Sequence, residues 1–218
     1  MTNLRCIRAL SLTGMFFTLL PTQAPAFDGI SANASVTSND LWRGLEQTNG
    51  KAAVSGGLDF EHDSGFYLGT WASNADWDEG MTYELDVYGG YSGSSQGFTY
   101  DIGFIQYAYP DATNDVDFSE IYTSISYGLF TFGYATLVNA DGADFGDDSY
   151  LSVDAEIAVT DKYQLAFHIG KGTDDFYAGE DFIDYGLSLS KSNFTIGASK
   201  TNLSDDDVKL YVSYSFDI

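Results

Sequence analysis

Apolar and polar residues alternate along most of this chain. Between Leu151 and Val159 every second residue is apolar, while the residues between them include Asp154 and Glu156. The pattern restarts at Tyr163, after the turn residues Thr160-Asp161-Lys162. A period of two is that of a β-strand with one apolar and one polar face, and two such segments joined by a short turn predict a hairpin.

The same pattern recurs along the chain and predicts twelve strands. Most of the segments have about 9 to 11 residues, the length that a tilted strand needs to cross a bilayer. We therefore expect an all-β protein, an antiparallel up-and-down transmembrane β-barrel of about twelve strands. The predicted strands are Ile30–Asn39, Val54–Glu61, Phe66–Asn74, Tyr83–Tyr91, Phe98–Phe104, Ser119–Tyr127, Leu129–Asn139, Tyr150–Thr160, Tyr163–Lys171, Phe182–Ser190, Phe194–Asn202 and Val208–Ile218.

The connections distinguish this barrel from a soluble β-sandwich. Every second connection is tight, and the others, such as Asp40–Lys51 and Ala140–Ser149, are longer and acidic. Short turns at one rim and longer loops at the other are typical of outer-membrane barrels, whose termini lie in the periplasm. Aromatic residues beside the tight turns predict a girdle at the periplasmic interface: Phe60, Phe66, Tyr67, Phe98, Tyr127, Phe130, Tyr163 and Phe194. The alternative is that these rings form the core of a soluble barrel.

The first 26 residues predict a secretory signal peptide. Arg5 and Arg8 precede an apolar run, Ala9–Leu20, and Ala24-Pro25-Ala26 fits a cleavage site with small residues. The alternative, an N-terminal membrane anchor, is disfavoured because the run is shorter than the roughly 20 residues that a spanning helix needs. The only cysteine, Cys6, lies in this segment, so residues 27–218 must fold as one barrel domain without disulfides.

The charge of the chain excludes several partners. Removal of residues 1–26 leaves seven of the nine basic residues against 32 acidic ones. A chain this acidic is a poor partner for nucleic acid or for anionic ligands. The 16 Tyr and 16 Phe residues also separate it from disordered acidic tails, which lack aromatic residues.

Most of the strand acids are predicted to face the barrel interior, because they occupy the polar face of the alternation. Rings of carboxylates favour cations over anions in a pore, so the sequence predicts a cation preference. The alternative is that they only solvate the interior of a narrow, plugged barrel. The pore-lining candidates are Asp59, Glu61, Glu84, Asp86, Asp101, Glu120, Asp154, Glu156 and Asp184.

Arg43 is the only arginine after residue 26, and it lies in the first long loop. It could fold into the pore mouth as a constriction or ligand contact, or it could pair with nearby acids and fix the loop; the sequence favours the second interpretation. No resident cofactor is expected. The acidic loops DATNDVDFSE, DGADFGDDS and GTDDFYAGED could bind Ca²⁺ or Mg²⁺ loosely, but none has EF-hand spacing.

Catalysis is not expected. Only two histidines are present, and neither accompanies a recognisable serine motif: His62 falls in a tight turn and His168 in a strand. The chain also lacks a phosphate-binding loop, a zinc-ligand spacing and a nucleotide fingerprint.

The segment Ser31–Trp77 resembles the start of the TorF family of proposed porins, which are proteobacterial proteins. The resemblance rests on the SAN opening, Trp42-Arg43-Gly44, Glu46-Gln47-Thr48, Gly50-Lys51, the run HDSGFY from His62 and the run WASN from Trp71. It implies an outer-membrane barrel without a defined substrate.

The sequence thus predicts a porin of the bacterial outer membrane, a passive diffusion channel for small cationic or neutral solutes. We expect it to contact outer-membrane lipid and lipopolysaccharide, and to engage the barrel-assembly machinery during biogenesis. The leading alternative is a closed outer-membrane barrel with a structural or surface-interaction role through its acidic extracellular loops. A soluble lipocalin-like binder is the third interpretation.

Overall fold

The computed structural model describes residues 29–78, 80–173, 175–204 and 206–217. The predicted signal peptide, residues 1–26, lies outside this range. Twelve strands form a closed antiparallel barrel, which confirms the predicted fold. A separate two-stranded sheet, β2–β3, forms inside the first long loop. The elements are β1 (Ile30–Thr37), β2 (Leu41–Trp42), β3 (Leu45–Glu46), β4 (Ala53–Glu61), β5 (Phe66–Asn74), β6 (Tyr83–Ser95), β7 (Phe98–Ala108), β8 (Phe118–Tyr127), β9 (Phe130–Ala140), β10 (Ser149–Thr160), β11 (Tyr163–Thr173), α1 (Asp175–Ala178), β12 (Phe182–Lys191), β13 (Phe194–Thr201) and β14 (Lys209–Asp217).

The barrel closes between its first and last strands. Strand β1 pairs with β14 over Asn33–Thr37, and with β4 on its other side. All other barrel strands pair with their neighbours in chain order, so the sheet has no free edge. Within the described residues, no helix is long and apolar enough to span a membrane.

The two ends of the barrel differ in their connections. At one end, which we call the turn end, two to four residues join the strands. Gln96 and Gly97 both have positive φ angles, 53° and 86°, as a two-residue hairpin turn requires. At the other end, the loop end, the connections are longer: residues 38–52, 75–82, 109–117, 141–148, 174–181 and 202–208.

The outer face of the barrel is apolar. Outward side chains such as Leu210 and Val54 are 73% and 68% exposed, whereas the inward Asp86 is fully buried. The aromatic residues predicted for the girdle are exposed near the turn end, with one exception. Tyr67 was predicted to belong to the girdle, which is wrong: its neighbour Phe66 points outward, so the strand alternation turns Tyr67 inward, where its hydroxyl group donates to Asp101 at 2.9 Å.

The interior is packed unevenly along the barrel axis. In the loop-end half, a hydrophobic cluster that includes Tyr107, Phe118, Leu137 and Phe182 occupies much of the lumen. In the turn-end half, many inward residues are small and polar, and most are only partly buried. The lumen is therefore obstructed towards the loop end and wetter towards the turn end.

Candidate pore constriction

A short hairpin folds into the barrel from the first long loop. Strands β2 and β3 pair Leu41 with Glu46 and Trp42 with Leu45. Arg43 and Gly44 form the turn, with φ angles of 52° and 78°. Both angles are positive, as a two-residue turn of the hairpin type needs. We call Leu41–Glu46 the inner hairpin, because Leu41 and Arg43 are buried within the barrel.

Polar contacts hold the base of the inner hairpin. The backbone N–H of Gln47 donates to the carbonyl oxygen of Asp40 at 2.9 Å. The side-chain amide of Asn39 donates to Glu46 at 2.7 Å, and the hydroxyl group of Thr48 donates to the carbonyl oxygen of Lys51 at 2.5 Å. The segment therefore enters the barrel in a defined conformation.

The tip of the inner hairpin is tied to strand β8 by a buried ion pair. The guanidinium group of Arg43 donates two hydrogen bonds to the carboxylate of Glu120, at 2.9 and 2.8 Å. Glu120 also accepts hydrogen bonds from the hydroxyl groups of Tyr107, at 3.3 Å, and Tyr177. Four donors thus satisfy a carboxylate that has no exposed surface, which offsets the cost of removing its charge from water.

Aromatic rings surround the same guanidinium group. Its central carbon lies 4.2 Å from the ring centroid of Trp42, 4.3 Å from that of Tyr150 and 4.7 Å from that of Tyr177. Such contacts stabilise a cation through the negative face of each ring. Trp42 in turn makes edge contacts with Tyr107 and Phe118, which fixes the hairpin against the wall of β7 and β8.

The turn also contacts another part of the wall. A β-carbon added at Gly44 would lie 2.8 Å from the β-carbon of Asp184 on β12 and 2.9 Å from a methyl group of Thr201 on β13. Strands β12 and β13 are four and five strands away from β8 around the twelve-stranded barrel. The inner hairpin therefore crosses the lumen, with Gly44 at one wall and the Arg43 side chain reaching towards the other.

A second polar network adjoins the hairpin. The two ring nitrogens of His168 lie 2.6 Å from Asp154 and 2.7 Å from Asp184. The hydroxyl group of Tyr150 donates to Asp184 at 2.7 Å and lies 2.8 Å from His168. Tyr150 also contacts Arg43, so the two networks share one ring.

A small cavity lies between the hairpin and strands β11–β14. Its volume of about 30 Å³ accommodates about two water molecules. The lining includes Arg43, His168, Asp184, Ser199 and Tyr211. The space beside the inner hairpin at this point is therefore small, and both polar and apolar side chains line it.

The remaining predicted acids lie along the inner wall; Asp101 is buried, whereas Asp59 and Glu156 are half-buried. Asp59 accepts a hydrogen bond from Tyr88 at 2.5 Å, Asp101 accepts one from Tyr67, and Glu156 accepts one from Gln164 at 2.6 Å. Glu61 is exposed at the turn-end rim. Their placement agrees with an acidic lumen, and their role in transport stays a prediction.

Glu84, Asp86 and Asp40 form a separate buried group of carboxyls near the loop end. Among the described residues, the neighbouring Glu84 carboxyl is the only group close enough to share a hydrogen bond with Asp86. Asp40 lies in the loop between β1 and β2, and burial raises its pKa from 3.8 to about 6. No group of three or more His, Cys, Asp and Glu residues in the described part of the chain is arranged to hold a metal ion.

The inner hairpin and the His168 network are not evident from the sequence pattern. Strands of two residues are too short to show an alternation, and the sequence favoured pairing of Arg43 with nearby acids over entry of the loop into the pore mouth. Arg43 pairs with Glu120, 77 residues away, instead of a nearby acid. The only sequence signal was the Trp-Arg-Gly run around a solitary arginine, which marks a turn without indicating its destination.

The closed barrel, its apolar exterior and its acid-rich interior define a porin-like β-barrel of the outer-membrane type. The chain belongs to the Gcw_chp family of bacterial proteins of unknown function, whose model matches residues 22–215. The TorF name stays a prediction.

Solved structures with a similar fold include porins. A KdgM porin is similar with a TM-score of 0.55 and 11% identity, over 85% of this chain and 98% of that chain. A KdgM porin in complex with disordered oligogalacturonate gives the same TM-score and identity, over 86% and 97%. At this identity the likeness shows a shared fold. No protein with a curated function matches the chain significantly in sequence.

Proposed function

We propose that this protein is a narrow diffusion channel of the bacterial outer membrane, with the inner hairpin as its constriction. The observation that carries the proposal is a closed twelve-stranded barrel whose strand acids face inward and whose outer face is apolar. An apolar exterior fits lipid, and an acid-lined interior fits water and cations. In a membrane, the loop end would face the cell exterior and the turn end the periplasm.

We propose a preference for small cationic or neutral solutes. The inward carboxylates outnumber the inward basic groups, and Arg43, His168 and Lys209 each already pair with an acid. The potential inside the lumen is then negative, which lowers the free energy of cations there. The inner hairpin, which crosses the lumen between Glu120 and the wall at Asp184 and Thr201, supports a low conductance.

Single-channel recording tests this proposal. The protein purified from outer membranes would be inserted into a planar bilayer under a salt gradient, and the reversal potential would be read. Discrete conductance steps with a cation-selective reversal potential are expected. Removing the carboxylates of Asp59 and Glu156 (Asp59→Asn with Glu156→Gln) should shift that potential towards zero.

A matched control removes two acids outside the lumen. Asp141→Asn with Asp161→Asn changes the net charge equally, at one loop position and one turn position, and should leave the reversal potential unchanged. Equal shifts in both double variants would contradict selectivity by the lumen carboxylates.

The second candidate is a closed barrel with a structural or surface-interaction role. The packed loop-end half favours it, because Tyr107, Phe118 and Phe182 fill much of the cross-section together with Trp42. A barrel that inserts, shifts its electrophoretic mobility on heating and yet conducts no current would support this candidate over the channel.

A further inference from the structure

The acids and most of the lysines of the barrel strands lie on opposite faces of the wall; Lys209, which pairs with Asp206, is the inward exception. The acids of the barrel strands occupy inward positions, whereas Lys171, Lys191 and Lys200 occupy outward ones. The register establishes this for two of the lysines: Lys171 pairs with Leu151 and Ile183, and Lys200 pairs with Tyr185, all of them outward residues. Directly paired residues of neighbouring strands share a face of the sheet.

Lys171 and Lys200 lie close together near the loop end. Lys171 is two residues before the end of β11, and Lys200 is one residue before the end of β13. Only β12 separates them, and their partners on β12, Ile183 and Tyr185, are two residues apart. Strand spacing places their α-carbons about 12 Å apart, so two lysine side chains can approach one headgroup.

The protein provides little compensation for these two charges. Lys171 pairs with Asp181 at 3.3 Å, but both side chains are more than half exposed, and such surface pairs are weak. Lys200 forms no ion pair with any described residue. A charged side chain on a lipid-facing surface is unfavourable at the middle of the bilayer, and the cost falls near the interface, where anionic headgroups can pair with it. Tyr185, beside Lys200, has the amphipathic side chain that settles at headgroup depth.

We propose that Lys171 and Lys200 form a binding site for a phosphorylated glycolipid headgroup of the outer leaflet. Two ammonium groups and the hydroxyl group of Tyr185 supply donors for phosphate oxygens, and the exposed Leu151 and Leu210, with the half-buried Ile183, offer an apolar surface to acyl chains. The site faces the outer leaflet because it lies near the loop end. The inference rests on the membrane orientation given above, but not on conduction, so a silent barrel leaves it intact.

Binding of lipid A to the detergent-solubilised protein tests the site, with native mass spectrometry and the temperature of heat-induced unfolding as readouts. Lys171→Gln with Lys200→Gln should weaken lipid A binding at least tenfold and abolish the stabilisation that lipid A confers. The matched control is Lys162→Gln with Lys191→Gln, which removes the same charge at the turn end and should bind like the unchanged protein. Equal affinity in the two double variants would overturn the proposal.

Three further measurements identify the ligand and control for misfolding of the variants. Lys171→Arg with Lys200→Arg keeps both charges and should retain binding, so failure of this variant with a folded barrel counts against the site. Inorganic phosphate should not compete at millimolar concentrations. Phosphatidylglycerol should bind more weakly than lipid A, and equal binding would reject the assignment to an outer-leaflet glycolipid.

Discussion

Arg43 and Glu120 form a pair whose members depend on each other. Both are buried, and the carboxylate of Glu120 receives two of its four hydrogen bonds from Arg43. A buried ion pair adds little net stability compared with apolar residues of similar size, whereas removing one partner leaves an uncompensated charge.

Removing only the guanidinium group should therefore cost more than removing the whole pair. Arg43→Met should lower the free energy of unfolding by about 3–5 kcal/mol, because Glu120 stays buried without its cation. Arg43→Met with Glu120→Met should recover most of that loss. Urea unfolding of the refolded protein in lipid vesicles measures both values, and a double variant as unstable as the single one would contradict this account.

A second prediction at the scale of residues concerns Asp40 and the pH dependence of the free energy of unfolding. Burial raises the pKa of the Asp40 carboxyl from 3.8 to about 6 in the folded protein. Between pH 3.8 and about pH 6 the folded state therefore keeps a proton that the unfolded state has already lost. The free energy of unfolding therefore falls as the pH rises through this window, by on the order of 2–3 kcal/mol from this group. Asp40→Asn should show a flatter profile between pH 4 and pH 7 in urea unfolding, and identical profiles would refute the burial effect.

At the scale of elements, the inner hairpin is an insertion that the barrel strands do not require. Its two ends are adjacent, because the N–H of Gln47 bonds to the carbonyl oxygen of Asp40. Leu41–Glu46 can therefore be replaced by an Asn-Gly turn without pulling on β1 or β4. The Arg43 ion pair, the Trp42 contacts and the close fit of Gly44 would all be lost together.

This replacement should raise single-channel conductance several-fold while the barrel still forms, because it removes the segment that crosses the lumen. The control shortens a different loop by deleting Asp144–Gly146, which includes the exposed Phe145, and should leave the conductance unchanged. If the hairpin replacement folds and conducts like the unchanged protein, the constriction lies elsewhere in the barrel.

At the scale of the whole molecule, the defining feature is closure of the sheet between β1 and β14. Ser35 lies opposite Ser215, and the backbone hydrogen bond from Ser38 to Val212 indicates that this pair falls at a non-hydrogen-bonded position. The α-carbons at such positions are about 4.5 Å apart, a distance that a disulfide can bridge.

Ser35→Cys with Ser215→Cys should therefore form a disulfide on mild oxidation and change the electrophoretic mobility of the unfolded protein. The described part of the chain contains no cysteine, so the background is clean. Ser35→Cys with Ser199→Cys places the second thiol on β13, a further strand away, and should not form a cross-link. Efficient cross-linking in the control would mean that the pairing of β1 is wrong.

The sequence by itself determined the architecture of this protein, because a membrane barrel is encoded by a local pattern. Alternation of period two assigns each residue of a strand to lipid or lumen, and strand length and the alternation of turns and loops follow from the bilayer. The twelve strands and their tight turns were therefore predictable. The wrong prediction for Tyr67 follows from ignoring this alternation. Phe66 faces outward, so its neighbour Tyr67 has to face inward.

Only the tertiary structure decided what fills the lumen. Arg43 and Glu120 meet across 77 residues, and His168 joins Asp154 to Asp184 on three neighbouring strands. No local period encodes such contacts, because they depend on how the closed barrel brings distant walls within reach of one loop. Whether the first long loop extends into water or folds inward is decided by the cavity that the barrel provides and by the aromatic rings that line it.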